Sequence, residues 1–261
     1  MYKISKVFSE IDKDTEVCNN QNRYTKKVWV ILITATISLY VIHYMKNLYA
    51  FEQTILFVQS LFNDNNLYRA IHSSKYFELY TYIWWGFWHY LFFLIIPMAI
   101  VKFVLKDSLK DYGFQIGNTI KHWKIYFITI IFFITFLSWF SFHNSSFAHY
   151  YPFYKYAYRS WFDLLSWEFI YILQFVALEF FFRGFLVQGL KIPFGINSVA
   201  IMIIPYTMIH LPKLWPEALG AIPFGLFLGI LSLLSKSIWG GVVIPRLYNT
   251  ITTQTNQIML K

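Results

Sequence analysis

The chain has 261 residues, 57% hydrophobic and 13% charged, whereas a soluble domain usually carries about 25% charge. Its apolar stretches are far longer than the roughly ten alternating residues of a barrel strand, which argues against a β-barrel and for an all-α, polytopic membrane helical bundle. The net charge of +9 sits in basic residues beside the apolar stretches, the pattern of cytoplasmic loops facing anionic lipid, so membrane lipid is the expected partner and nucleic acid is not.

Residues 1–27 are polar, mixed in charge and unlike a cleavable signal peptide. They read as a cytoplasmic N-terminal segment, and they contain Cys18, the one cysteine. A single cysteine excludes an intrachain disulfide and a cysteine-based zinc site. Apolar segments follow at 28–45, 79–101, 125–142, 167–190, 196–211, 218–234 and 237–251. The expectation is therefore seven transmembrane helices, with an eighth, partly embedded helix possible over 51–62. Residues 28–104 form the N-terminal membrane helices, 105–251 the helical core and 252–261 a tail. No internal repeat or low-complexity tract appears. The missing inverted repeat weighs against a small transporter.

Basic residues set the orientation. Six Lys or Arg fall in residues 1–27 and five in 102–124, against three in 46–78 and two in 144–166. A cytoplasmic N-terminus and a cytoplasmic loop between the second and third helices follow. By alternation the fourth segment runs inward, and the fifth runs back out.

The fourth segment, "FVALEFFFRGFLVQGL", holds Glu179 and Arg183 inside an apolar run. Charges at bilayer depth are costly, so such residues are functional candidates by default. Four residues apart, they share one helix face and can form an intrahelical ion pair. Glu179 lies roughly 16 Å from the end of its helix at Leu190. His210 lies roughly 21 Å along the fifth helix, and Asn249 roughly 18 Å along the seventh. Three polar residues from three helices thus reach similar depth. His43, His89, His143 and Glu168 also fall in or beside apolar segments, where a structural role is the commoner one.

Three stretches together resemble a known family: Leu178-Glu179 with Arg183-Gly184, Tyr206 with His210, and "FGLFLGILSLLSKSIWGGVVIPRLYN" ending at Asn249. They resemble the CPBP (Abi) membrane proteins, which include the CAAX prenyl endopeptidases and bacteriocin self-immunity proteins. "SLKDYGFQIG", residues 108–117, resembles the amphipathic segment ahead of that family's core. The resemblance covers roughly residues 105–251 and implies a bacterial plasma membrane protein, with a membrane protein or peptide as partner or substrate. In the family two adjacent glutamates precede an arginine, and histidines on later helices help position a water. Arg183 fixes the register, so Glu179 takes the second, arginine-pairing position and Leu178 stands at the first. Tyr206 and His210 fit the second motif. Asn249 fits the third, but Pro245 stands where a histidine belongs.

The resemblance makes a divalent metal conceivable, yet the ligand set is incomplete, since zinc needs three or four ligands. Glu179 is one residue from the vacant position, about 100° round the helix. A local π-turn would swing it inward, at the expected expense of its pairing with Arg183. Two functions follow: a non-catalytic membrane scaffold or regulator, which the retained structural residues favour, or an intramembrane peptidase with an altered site using Glu179, His210 and Asn249.

Overall fold

The computed structural model describes residues 21–63, 65–129, 131–132, 135 and 153–242. All regular structure among them is helical. Helix α1 spans Gln21–Met45, so the last turns of the polar N-terminal segment are already helical. Helix α2 spans Leu48–Phe62, and its N-cap Asn47 accepts from the Ala50 amide at 2.8 Å; side-chain caps of this kind satisfy amides that the helix start leaves unpaired. A short α3 covers Leu67–His72. Helix α4 runs over Phe77–Val104, with π-turns at Leu91–Ile95 and Ile100–Val104. Pro97 sits between these turns, and its missing amide accounts for a disturbed ladder there.

Helix α5 runs unbroken over Trp161–Phe194, 34 residues, longer at both ends than the apolar run alone suggests. Ser160 caps its start by accepting from the Asp163 amide. Helix α6 spans Asn197–Met208 and α7 spans Trp215–Ser235. Residues 123–129 and 239–242 are helical as well; most of the third and seventh apolar segments lie outside the described residues, as do Pro245, Asn249 and His143.

Four helices are long and apolar enough to cross a membrane: Tyr24–Met45, Phe77–Val104, Trp161–Phe194 and Trp215–Ser235. The chain is a polytopic helical membrane bundle. One expectation changes. The fifth apolar segment yields only a 12-residue helix, α6, against about 20 needed to span the hydrocarbon core. Pro205 lies inside it and Pro212 just beyond; a proline cannot continue the amide ladder and disfavours helix in the residue before it. His210 therefore stands in the turn after α6.

Helix α5 packs against α1, α4, α6 and α7 and is the centre of the bundle. Its stretch Phe180–Gln188 is buried on every side, as expected of a helix apolar all round. Phe181 and Phe182 stack against Phe93 of α4 at 4.4 and 5.7 Å between ring centroids, and Phe182 meets Tyr206 of α6 at 5.2 Å. Between α4 and residue 123 the chain forms a strap. Its 3-10 turn, Leu109–Tyr112, ends in Gly113 at φ 76°, a conformation that favours glycine. Gly113 carbonyl accepts from the Ile238 amide at 3.0 Å, and the Asn118 amide donates to Ser235 carbonyl at 2.7 Å. The strap thus holds the end of α7 and the start of the last segment. Lys27 of α1 donates to Asp107 at 2.8 Å, and Tyr112 hydroxyl donates to the same carboxylate oxygen at 2.9 Å. The start of α1 and the end of α4 therefore lie at one end of the bundle.

Candidate functional site

The second half of α5 carries the site. Phe180–Gln188 forms a nine-residue π-helical stretch beginning directly after Glu179, and such stretches are rare and often accompany functional positions. The expected conflict between a π-turn and the ion pair does not arise. Glu179 Oε1 and Arg183 Nη1 are 3.2 Å apart, and both side chains are almost wholly buried. The turn starts after the glutamate, so the glutamate keeps its place and the following residues are rotated. The Arg183 guanidinium lies 4.3 Å from the centroid of the Tyr206 ring, a cation–π contact across to α6. Tyr206 in turn faces His210, with ring centroids 4.7 Å apart, and its carbonyl lies 2.9 Å from His210 Nδ1. Glu179, Arg183, Tyr206 and His210 form one continuous chain of contacts.

Two glycines make room for it. A Cβ on Gly241 would lie 2.0 Å from Glu179 Oε2, and one on Gly184 would lie 2.6 Å from the Tyr112 carbonyl. The absent side chains let the last segment close over the carboxylate and let the strap close over the π-stretch. Glu179 Oε2 has no hydrogen-bond partner among the described residues. An unsatisfied buried carboxylate oxygen is costly and calls for an explanation.

A cavity of about 1110 Å3 runs along α5, between α1, α4, α6 and the start of α7. Leu178, Glu179 and His210 all line it. Position 178, one place before the arginine-paired glutamate, thus borders the cavity with an isobutyl group. His89 lines it too, its Nδ1 2.7 Å from the Trp85 carbonyl; this is a structural anchor within α4. Burial first, and then the nearby Lys213 ammonium, depress the His210 pKa to about 4, so it is neutral at pH 7.

Residues 159–251 match the family model described as Rce1-like, type II CAAX prenyl endopeptidase Rce1-like. That part of the chain, about a third of it, is similar to the type II CAAX prenyl endopeptidases. No curated protein and no solved structure matches the chain. The match covers α5, α6, α7 and the segment that closes over Glu179, elements that supply much of the cavity's lining.

Among the described residues of this region, the donors present do not fit a divalent metal. Among the described residues no group of three His, Cys, Asp or Glu converges. Glu179 is tied to Arg183, and His210 Nδ1 faces a carbonyl. Two donors fall short of the three protein ligands of a catalytic zinc site.

Three further residues lining the cavity stand outside the family motifs: Lys46, just after α1, and Lys213 and Glu217, which pair with each other. The spacing of Lys213 and Glu217 was readable as a helical i, i+4 pair. Nothing in the sequence joined them to Lys46.

Proposed function

We propose that this CAAX-protease-like membrane protein is a non-catalytic scaffold or regulator that uses its retained cavity to hold a membrane-embedded partner or peptide. Leu178 carries the reading. It borders the cavity at the position where the family resemblance calls for a water-activating carboxylate. A leucine can neither hold a water nor accept its proton, and general-base catalysis needs such a group within hydrogen-bond reach. The neighbouring Glu179 is engaged with Arg183 on the same helix, and Arg183 in turn meets Tyr206 of α6, which fits a structural role for the pair. Plasma-membrane location with a cytoplasmic N-terminus belongs to the same reading.

A second reading has one observation in its favour. Glu179 and His210 line the same cavity, and Glu179 Oε2 is unpartnered among the described residues. In that case Glu179 would take the proton of a water and His210 would orient it, giving peptide-bond hydrolysis at an altered site. Restoration separates the two. Leu178→Glu/Pro245→His, assayed in proteoliposomes on prenylated and unprenylated peptides, is expected to gain cleavage that the natural chain lacks. Cleavage by the natural chain that the double change does not improve would favour the altered peptidase.

A further inference from the structure

The cavity carries two lysines, Lys46 and Lys213, that neither reading uses. Its walls are apolar and aromatic, with Leu39, Phe93, Phe175 and Ile201 among them. At about 1110 Å3 it exceeds the roughly 300–1,000 Å3 of ordinary small-molecule pockets. Tyr40 and Tyr44 of α1 and Ile204 and Met208 of α6 line it and are also exposed on the outer surface. The cavity is therefore bordered by exposed apolar residues of α1 and α6.

Two ammonium groups interrupt this apolar lining. Lys46 lines the cavity, is half-buried, and makes no ion pair or side-chain hydrogen bond among the described residues. Burial, and then the charge of the nearby Lys213, lower the Lys46 pKa. Glu217 neutralises part of this through its pairing with Lys213. Counting Lys46, Lys213 and Glu217, the mouth carries one net positive charge. His43 and His210 complete the polar rim. With Lys213 paired to Glu217, Lys46 is the ammonium left without a counter-ion among the described residues, and the bilayer supplies one as a lipid phosphate.

We propose that the cavity binds an anionic phospholipid, with one acyl chain in the apolar chamber and the phosphate between Lys46 and Lys213. Phosphatidylglycerol matches on both counts, having a single net negative charge and hydrocarbon chains. The second chain and the glycerol remain in the leaflet, beside the exposed residues of α1 and α6. Neither lysine takes part in the peptidase readings, although His210 lines the cavity that both share.

Lipid exchange followed by native mass spectrometry tests this. The full chain is delipidated in detergent, equilibrated with equal amounts of phosphatidylglycerol and phosphatidylcholine, and the retained lipid is weighed. Retention of phosphatidylglycerol is expected to exceed that of phosphatidylcholine by about fivefold per lysine, the scale of one basic residue at an anionic surface. Lys46→Gln/Lys213→Gln should bring the two to parity, and Lys46→Arg should keep the preference. Glycerol phosphate without chains should fail to compete, which separates a lipid site from a plain phosphate site. Equal retention of both lipids by the natural chain would overturn the proposal, as would a preference that survives the double glutamine change. Because Lys46→Arg retains the charge, its result distinguishes a lost site from a misfolded protein.

Discussion

Glu179 and Arg183 are 3% and 1% exposed, and the energetics of such a pair depend on which partner is removed. Desolvating two charges offsets most of their attraction, so the pair adds little net stability over apolar residues of similar volume. Removing one partner alone leaves an uncompensated buried charge. Glu179→Gln is therefore expected to destabilise the protein by about 3–5 kcal/mol, whereas Glu179→Met/Arg183→Met should recover most of the loss. Thermal unfolding in detergent reads both. An unchanged midpoint for Glu179→Gln would mean that Arg183 is supported by another acceptor. The pairing itself was legible in the sequence from the four-residue spacing and the apolar surroundings. Its neighbours were not. That Gly241 leaves room for the Glu179 carboxylate, and that Tyr206 covers Arg183, follows from packing between segments about sixty and twenty residues away, which no local pattern encodes.

At the scale of elements, α5 decides where everything else sits. Its π-stretch begins at Phe180, and Gly184 within it meets the strap's backbone. The obstacle at Gly184 is a carbonyl and not the end of a flexible side chain, so an added methyl must push the strap away. Gly184→Ala is expected to cost about 1–3 kcal/mol, the range of small overpacking changes in tight interiors. It should also expose residues 106–117 to limited proteolysis in detergent. A variant as resistant as the natural chain would show that the strap does not depend on this close approach. The long, strongly apolar helices α1, α4 and α7 were readable because hydrophobic length is a direct signal of a membrane span. Helix α6 was misjudged for the converse reason. The apolar run of the fifth segment continues to Leu211, while Pro205 and the Leu211-Pro212 step end the regular ladder sooner. Apolar composition reports burial or lipid contact, and the amide ladder decides where the helix stops. The π-stretch leaves no mark in composition at all, since its residues would suit an α-helix equally well.

For the whole molecule, the pairing of Lys27 with Asp107 puts the start of α1 and the end of α4 at one end of the bundle. The contact of Trp84 Nε1 with Met45 carbonyl, 2.6 Å, joins their other ends. Helices α1 and α4 are therefore antiparallel, and on the proposed orientation the Lys27 end faces the cytoplasm. Cys18, the one cysteine, provides a direct reporter of that orientation. A membrane-impermeant maleimide should leave it unlabelled in intact cells and label it after the membrane is permeabilised. Labelling in intact cells would reverse the orientation and put the Lys46 and Lys213 end of the cavity on the cytoplasmic side.

The central proposal concerns chemistry: the region similar to CAAX endopeptidases lines a cavity where Leu178 stands in place of a water-activating carboxylate. The most direct measurement is cleavage of a mixed peptide library by the natural chain in proteoliposomes, followed by mass spectrometry, beside His210→Ala. No cleavage product above that of empty liposomes is the predicted result for both proteins. Products from the natural chain that vanish with His210→Ala would contradict the account and establish a working peptidase built on Glu179 and His210.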